Sequence, residues 1–292
     1  MLRPGFTWNL GRRTLALGER TLVMGVVNVT PDSFSDGGKF LDSQAAVEHG
    51  LRLLKEGADI LEVGGESTRP AATPLSAGEE LQRILPVIAG VRRARPDAIL
   101  SVDTYKAEVA LRAVEAGADI VNDVSGLSWD SGMAVALASL RCGAILMHTR
   151  GRPDEWRSLA APDNVIALVL RGLGETAKKA VGAGISHERI VLDPGFGFGK
   201  RHDENYPLLA HFDRLQSLGF PLLSGPSRKS FLGRTAGKRL GIPELPPEQR
   251  LAGTLAAVTA SVLKGAHIVR VHDVRATVEA VAVADAVLRS AI

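Results

Sequence analysis

A short phrase recurs along this chain: a helix-patterned segment, then a glycine, then a few small or β-branched residues. The phrase occurs four times, as Gly57-Ala58-Asp59-Ile60, Gly117-Ala118-Asp119-Ile120, Gly143-Ala144-Ile145-Leu146 and Gly265-Ala266-His267-Ile268. A helix end favours a residue with left-handed backbone, which costs glycine least. A strand that helices cover needs apolar, mostly β-branched residues. The repeats therefore predict helices that alternate with buried parallel strands.

The number of these segments selects the architecture. Helices are predicted over residues 43–56, 78–94, 106–115, 163–183 and 273–291, and further strands over 98–102, 190–192 and 221–224. Roughly eight strands then alternate with roughly eight helices, which favours an α/β fold of the single (β/α)8 TIM barrel type over an open doubly wound sheet. No GxGxxG follows the first strand, so the mark of a dinucleotide-binding fold is missing.

The first 20 residues predict an N-terminal β-hairpin. Phe6, Trp8 and Leu10 alternate with other residues, Gly11 begins a turn, and the chain returns through residues 14–17. Alternation on both sides of a turn is typical of a hairpin. We expect this hairpin to plug the bottom of the barrel, and the whole chain, residues 1–292, to form one domain.

Composition narrows the range of partners. The chain is 45% hydrophobic and 4% aromatic, with a formal charge of +3 and scattered basic residues, so we expect no nucleic-acid partner. Cys142 is the only cysteine, which excludes an intrachain disulfide and cysteine-based metal sites. The start of the chain is not of signal-peptide type, and the apolar stretch 251–263 is too short to span a bilayer. We expect a soluble, cytoplasmic protein with no membrane partner.

Polar residues stand near the predicted carboxyl ends of nearly all the strands, where a barrel builds its active site. In chain order they are Asn28, residues 64–69, Asp103, Asn122, Asp123, His148, Asp193, Ser224, Arg270 and His272. Each one alone is as well explained as a structural cap. Because buried polar groups cost free energy unless they are partnered, the set as a whole predicts a ligand.

Side-chain parity and chemistry refine this prediction. Arg270 and His272 are two residues apart and face the same side of a strand, whereas His267 faces the other side and is predicted to be structural. Asp103, Asn122 and Asp193 offer acceptors and an amide that suit the edge of an amino-pyrimidinone ring. Two carboxylates can also act as a general acid and base, as in a glycosidase, but the aromatic platforms for a sugar are missing.

Three loops add candidates. The stretch 25–40 is equally well explained as an ordinary turn or as a segment that places Asn28 and Asp36 beside a metal-bound pyrophosphate. The run Gly195-Phe-Gly-Phe-Gly-Lys200 fails the phosphate-loop pattern, and its glycines are expected to let the backbone approach a flat ligand with Phe198 against its face. The segment 224–230 places Lys229 before Ser230 at a predicted helix start, which can hold an anion such as a carboxylate. Lys229 is predicted to donate to a ring carbonyl, or else to be a solvated loop residue.

Taken together these segments resemble dihydropteroate synthases. The motifs NVTPDSFSDGG, GGESTRP, SVDTYK, NDVSG, DPGFGFGK, SRKSF and RVHDV occur in the order typical of that family. The resemblance implies condensation of 6-hydroxymethyl-7,8-dihydropterin diphosphate with para-aminobenzoate, with Mg²⁺ as cofactor, these two small molecules as partners, and a homodimer. The apolar helices 251–263 and 278–292 can supply a dimer interface, although packing within the monomer explains them equally well.

The resemblance also implies roles for individual residues. The pterin is expected to contact Asp103, Asn122, Asp193, Phe198, Lys229 and Arg270. The diphosphate is expected to contact Asn28, Arg270 and His272, with Mg²⁺ held by Asn28 and Asp36. The aminobenzoate is expected to lie among Phe34, Thr68, Arg69 and Ser230. The residues expected to act in catalysis are Asn28, Asp36, Asp103, Lys229, Arg270 and His272.

Two other functions stay open on the sequence alone. A pterin-dependent methyltransferase barrel would share the pterin-binding acids but has no use for the SRKSF and NVTPDSF loops, and both are present. A non-catalytic pterin-binding protein would be expected to lack Asn28, Asp36 or Lys229, and the chain has all three. The role of Glu62 is also open, and a structural acid partnered by a backbone amide is one possibility.

Overall fold

The computed structural model describes residues 3–29, 39–68 and 73–290. Three predicted site residues, Phe34, Asp36 and Arg69, therefore lie outside the described residues. The strands are β1 (Phe6–Asn9), β2 (Thr14–Leu17), β3 (Leu22–Asn28), β4 (Ile60–Gly64), β5 (Ile99–Asp103), β6 (Ile120–Asp123), β7 (Gly143–Met147), β8 (Ile190–Asp193), β9 (Leu223–Ser224) and β10 (Ile268–Val271). The helices are α1 (Lys39–Lys55), α2 (Ala77–Ala94), α3 (Ala107–Glu115), α4 (Met133–Ser139), α5 (Val165–Gly182), α6 (Asn205–Ala210), α7 (Ser230–Leu240), α8 (Leu251–Leu263) and α9 (Val274–Ser290).

Strands β3 to β10 form one parallel sheet in the order β8-β7-β6-β5-β4-β3-β10-β9. The two ends of this sheet meet, because the Leu192 amide donates to Pro221 O at 3.0 Å and Leu192 bridges to Leu222. Closure removes both sheet edges and leaves the strands to be covered by helices. The predicted (β/α)8 TIM barrel with an N-terminal hairpin is confirmed.

The hairpin β1–β2 closes the amino-terminal end of the barrel. Trp8 and Leu10 are fully buried, and Trp8 Nε1 donates to Arg189 O at 2.9 Å. The hairpin side chains pack against inward-facing apolar residues of the strands, namely Leu22, Met24, Ile60, Ile120, Ile145, Val191, Leu223 and Ile268. An indole needs a partner for its N–H when it is buried, and the barrel floor supplies one. The predicted plug is confirmed.

The recurring glycines have two different structural reasons. Gly57, Gly117 and Gly265 have φ of 105°, 116° and 96°, the left-handed turn predicted from the repeats. Gly143 lies inside β7 with no such φ, so the predicted turn is wrong there. A Cβ at Gly143 would stand only 2.5 Å from Leu10 Cδ2. Gly143 is therefore needed to make room for the hairpin.

On several strands, inward-facing residues two positions apart change from apolar in the core to polar in the site. Along four strands an inward-facing apolar residue is followed, two positions on, by a polar one: Ile60 by Glu62, Ile120 by Asn122, Val191 by Asp193 and Ile268 by Arg270. Alternate residues of a strand share a face, so these polar side chains also point into the barrel. The result is an apolar floor above the hairpin and a polar layer towards the carboxyl ends of the strands.

The predicted helices agree with the structure to within a few residues, and α4 and α6 were not predicted. Both are short, seven and six residues, so the helical period has few turns in which to show itself. Among the described helices, none has the length and apolar character that crossing a membrane would require.

Candidate active site

Arg270 links two acids inside the barrel. Its Nη2 donates to Asp103 Oδ2 at 2.9 Å, and its Nε pairs with Glu62 Oε2. A guanidinium inside a barrel needs a buried anion as partner, and the structure supplies two. Glu62 is fully buried on β4. The suggestion that a backbone amide partners Glu62 is wrong, because both its oxygens face side chains of other strands.

Asn122 and Asp193 face the same space from β6 and β8. Asn122 Nδ2 donates to Glu62 Oε1 at 2.7 Å, while Asn122 Oδ1 is buried without a hydrogen-bond partner among the described residues. Asp193 Oδ1 accepts the Gly195 amide at 2.7 Å. A Cβ at Gly225 would stand 3.9 Å from Asp193 Oδ2 and 3.7 Å from Arg270 Cβ. Gly225 thus keeps the space beside Asp193 and Arg270 clear of a side chain.

Both inward-facing aspartates titrate near neutral pH. Burial, and after it the charge of Glu62, raises the pKa of Asp103 to about 7 even though Arg270 opposes the shift. Burial raises the pKa of Asp193 to about 6. Strongly shifted acids that converge in one cleft are typical of functional sites. N–H donors from a ligand would stabilise the ionised form of each carboxylate.

Lys229 completes the wall next to these acids. Its Nζ lies 4.1 Å from the centroid of the Phe198 ring, and it is near enough to Asp103 and Asp193 to lower the pKa of both. A Cβ at Gly197, where φ is 82°, would stand 3.4 Å from Lys229 Cδ. The structure therefore places half-buried Lys229 against Phe198 and close to both aspartates, which favours the predicted ligand contact over a fully solvated loop residue.

The glycine-rich loop 194–200 is shaped mainly by the protein itself. A Cβ at Gly195 would stand 2.1 Å from His148 O, and one at Gly199 would stand 2.6 Å from Arg150 Cβ. Buried Lys200 donates to the carbonyls of His148, Gly195 and Phe198 at 3.2, 2.8 and 3.2 Å. Gly195 and Gly199 are therefore required by contacts within the protein, and the approach of this backbone to a flat ligand stays a prediction.

Asn28 and His272 lie at the mouth of the barrel. A Cβ at Gly64 would stand 3.5 Å from Asp103 Cβ and 3.8 Å from Asn28 Oδ1, so Gly64 separates these two side chains. His272 Nδ1 is 3.0 Å from Ser227 Oγ, which also accepts the His272 backbone N–H at 3.2 Å. Burial, and then Arg270, lowers the pKa of His272 to about 3. The imidazole is therefore neutral at pH 7.

Three residues of the predicted polar set do not face the site. Asp123 accepts the amides of Ser125 and Leu127 at 2.8 and 2.7 Å and caps its own loop. Ser224 Oγ is 2.8 Å from Ser261 Oγ of α8. His148 lies against α5, since a Cβ at Gly172 would stand 2.6 Å from its Cδ2. All three are one residue out of phase with the inward face, and their inclusion in the site is wrong.

The segment that precedes Thr68 is held by charged side chains. Tyr105 Oη donates to Glu66 Oε1 at 2.9 Å, and Lys106 pairs with Glu66 and, at 2.5 Å, with Glu80. Thr68 is half-buried.

Ser230 lies at a different strand end. It is the first residue of α7 and directly follows Lys229. The contacts of Thr68 and Ser230 with an aminobenzoate remain predictions.

Sequence reasoning missed several residues around this site. Ser227, Lys200 and Lys106 were not singled out, and Glu62 was left without a role. A signal for Glu62 existed, because it follows the inward-facing Ile60 by two residues. Within residues 3–29, 39–68 and 73–290, no group of three or more His, Cys, Asp or Glu side chains is arranged to hold a metal ion.

The comparisons with known proteins agree with this geometry. The family of pterin binding enzymes matches residues 24–272, which defines the class of the fold and its site. The dihydropteroate synthase of Clostridium beijerinckii is 40% identical over 281 residues, covering 96% of this chain and 99% of the relative. That of Escherichia coli is 43% identical over 266 residues and 91% of both chains.

Solved structures give the same result. The Xanthomonas albilineans dihydropteroate synthase with 4-aminobenzoic acid has a TM-score of 0.88 and 48% identity, covering 97% of this chain and 98% of that one. The same enzyme in complex with 7,8-dihydropteroate has a TM-score of 0.83 and 46% identity over 96% of this chain and 98% of that one. The chain belongs to the dihydropteroate synthase family.

Proposed function

We propose that this chain condenses 6-hydroxymethyl-7,8-dihydropterin diphosphate with para-aminobenzoate to give 7,8-dihydropteroate and pyrophosphate. The observation that carries the proposal is the polar layer inside the barrel: two acids with raised pKa, an uncommitted amide oxygen and a guanidinium. These groups are Asp103, Asp193, Asn122 and Arg270. A pterin offers N–H groups on one edge and a flat ring, which this set matches.

The pterin would be recognised along its amino-pyrimidinone edge. Asp193 has one oxygen on the Gly195 amide and the other on the side kept clear by Gly225, where it can accept ring N–H groups. Asn122 Oδ1 supplies a further acceptor. Lys229 would donate to the ring carbonyl, with Phe198 beside it. Arg270 would lie over the ring, since a guanidinium stacks well on a flat π-system.

The reaction breaks the pterin CH₂–O bond and leaves positive charge on the ring system. A carboxylate next to the ring, as Asp103 would be, stabilises that charge as it develops. The positive charge of Arg270 would stabilise the departing pyrophosphate. N–H donors from His272 and from the Asn28 amide would add hydrogen bonds to it. The neutral arylamine then attacks the methylene carbon and gives up one N–H proton to water, and no covalent bond to the enzyme is needed.

Mg²⁺ would bind at the mouth of the barrel. This ion prefers oxygen ligands and commonly takes one or two from the protein and the rest from phosphates and water. Asn28 places its amide oxygen at the carboxyl end of β3, and Asp36, outside the described residues, would supply a carboxylate. When bound, the ion would add positive charge to the leaving diphosphate.

The aminobenzoate would bind nearer the surface. Its carboxylate would meet the start of α7 at Ser230, where free backbone N–H groups favour an anion. Thr68 would line the same space, together with Phe34 and Arg69 from segments outside the described residues. This placement would leave the amine directed at the pterin methylene carbon.

The decisive test is pyrophosphate release from the pterin diphosphate, with and without para-aminobenzoate and Mg²⁺. A synthase releases pyrophosphate only when both are present. A non-catalytic pterin-binding protein would bind the pterin in calorimetry without releasing pyrophosphate, and that result would overturn the proposal.

We also propose a homodimer that works in the cytoplasm. Helices α8 and α9 carry apolar side chains with large exposed fractions, including Val283 at 67% and Val287 at 53%. Exposed apolar patches of this kind often mark interfaces. Light scattering of the wild type and of Val283→Asp tests the dimer, which should dissociate in the variant.

Because a diphosphate ester crosses a bilayer poorly, the enzyme should fractionate with the cytoplasm.

A further inference from the structure

We propose that Glu62 is a positioning residue that holds the Asn122 amide in one orientation and anchors the guanidinium of Arg270 for the pterin. The inference rests on the proposed function, because it names how that same site is kept ready. It concerns a residue that would not itself touch the substrate.

Glu62 joins strands that are not neighbours. In the sheet order β6-β5-β4-β3-β10, strand β4 lies two places from the strand of Asn122 and two places from that of Arg270. Glu62 is fully buried, and each of its carboxylate oxygens faces one of these two side chains. The long Glu62 side chain lies midway between these strands. It can therefore fix two side chains whose strands are not hydrogen-bonded to each other.

The chemistry of Glu62 decides which way the Asn122 amide points. Arg270 Nε–H can only donate, so the Glu62 oxygen that faces it must accept. The other Glu62 oxygen lies 2.7 Å from Asn122 Nδ2. An ionised carboxylate accepts only, so it selects Nδ2 of Asn122 and rejects the flipped amide. Asn122 Oδ1 is thereby turned away from Glu62, and it is buried without a partner among the described residues. This oxygen is an acceptor kept for an N–H of the ligand.

Glu62 also keeps Arg270 in place when Asp103 turns to the substrate. Arg270 pairs with both acids, through Nε to Glu62 and through Nη2 to Asp103. A ligand that engages Asp103 would weaken the second pair. The first pair lies deeper and stays, so the cation keeps one buried anionic partner.

The variants Glu62→Gln and Glu62→Asp test this assignment. The glutamine side chain would direct an N–H at one of two donors, and the aspartate side chain would be one methylene too short to reach both. We expect either change to weaken binding of 6-hydroxymethylpterin by roughly 10- to 100-fold, the effect of losing a hydrogen bond to a charged group. The KM for para-aminobenzoate should stay within about threefold of the wild type, since that substrate binds elsewhere.

Asp119→Asn is the matched control. Asp119 is also a buried acid paired with an arginine, at 2.8 Å from Arg92 Nη2, but it lies at the opposite end of β6. Its loss should lower the melting temperature and leave pterin affinity unchanged. A pterin affinity in Glu62→Gln equal to that of the wild type would overturn the inference.

A double-mutant cycle separates positioning from general damage. If Glu62 acts through Asn122, the effect of Glu62→Gln on pterin affinity should shrink at least about threefold in an Asn122→Ala background. Additive effects would contradict the assignment. If Glu62→Gln does not fold, Glu62→Asp carries the same cycle. Wild-type protein that binds pterin without releasing pyrophosphate would refute the proposed function and leave the Glu62 cycle readable.

Discussion

At the scale of single residues, the charges around Arg270 give the site an excess of negative charge. Glu62 and Asp103 both pair with this one guanidinium, so the group carries a net negative charge whenever Asp103 is ionised. The pKa of Asp103 rises to about 7 although a cation touches it, because burial is the larger effect and the charge of Glu62 adds to it. N–H donors or a developing positive charge on a ligand would remove the excess.

Asp193→Asn should nearly abolish pterin binding without unfolding the protein. The asparagine can still accept the Gly195 amide, so the loop keeps its hydrogen bond. Its other group becomes an N–H donor that faces ligand N–H groups, and the expected loss of affinity is about 100-fold or more. Calorimetry with 6-hydroxymethylpterin measures it, with the exposed Asp154→Asn as control. Unchanged affinity would refute the placement of the pterin.

Ser227→Ala should weaken binding of the diphosphate but not of the pterin ring. Ser227 Oγ already accepts the His272 backbone N–H, so we expect its own proton to point to Nδ1 and leave Nε2 protonated. Without the hydroxyl the ring can take the other tautomer and lose its donor to the phosphate. The affinity for pterin diphosphate should fall roughly tenfold and that for 6-hydroxymethylpterin should not change. Equal losses for both ligands would contradict this function of Ser227.

At the scale of elements, the loop 194–200 shows how backbone and side chains share the work. Three of its glycines have left-handed backbone, and Lys200 ties three carbonyls together from inside. Phe198 and Lys229 are positioned through this loop. Contacts within the protein therefore stabilise the shape of this loop.

Gly195→Ala should destabilise the fold far more than Gly219→Ala. The two glycines have similar φ, 66° and 77°, so the backbone strain of an L-residue is matched at about 1 kcal/mol. The added Cβ at Gly195 would stand 2.1 Å from His148 O, whereas at Gly219 nothing lies within 4 Å. Urea unfolding should show an extra loss of about 2 kcal/mol or more at Gly195. Equal losses would mean that the loop can move away from His148.

Element periodicity also explains what the sequence could and could not reveal of the site. Alternation of helices and strands predicts the barrel, and the spacing of Arg270 and His272 predicts a shared face. Asp123, His148 and Ser224 were misplaced because a strand end read from sequence is uncertain by a residue, and a slip of one residue reverses the face. The partners of Glu62 were out of reach, since they come from strands two places away on either side.

At the scale of the whole molecule, the hairpin is fastened to the barrel by polar contacts as well as by Trp8. Arg3 donates to Ala266 O at 2.9 Å and pairs with Asp285 at 3.1 Å. His267 connects the same parts: the Leu222 amide donates to its Nδ1 at 3.0 Å, and its Nε2 lies 2.9 Å from Pro4 O. These contacts require a neutral ring with its proton on Nε2, which fits the structural role predicted from strand parity.

Acid should therefore loosen the molecule through His267. Burial lowers the pKa of this histidine from 6.5 to about 4 in the folded chain. Between these two values the unfolded chain binds more protons than the folded one, so stability is lost as pH falls from 7 towards 4. At pH 5 the loss from this residue alone should be about 2 kcal/mol. Buried His148 and His272, whose pKa values are also lowered, should add losses in the same direction.

His267→Gln isolates the contribution of this one histidine. The variant should be less stable at pH 7, because its amide fits the two contacts poorly, but its free energy of unfolding should fall less between pH 7 and pH 5. Urea unfolding at both pH values measures the difference, and His211→Gln, on an exposed residue, should keep the pH dependence of the wild type. Equal slopes in the wild type and His267→Gln would show that the hairpin attachment does not depend on the protonation of His267.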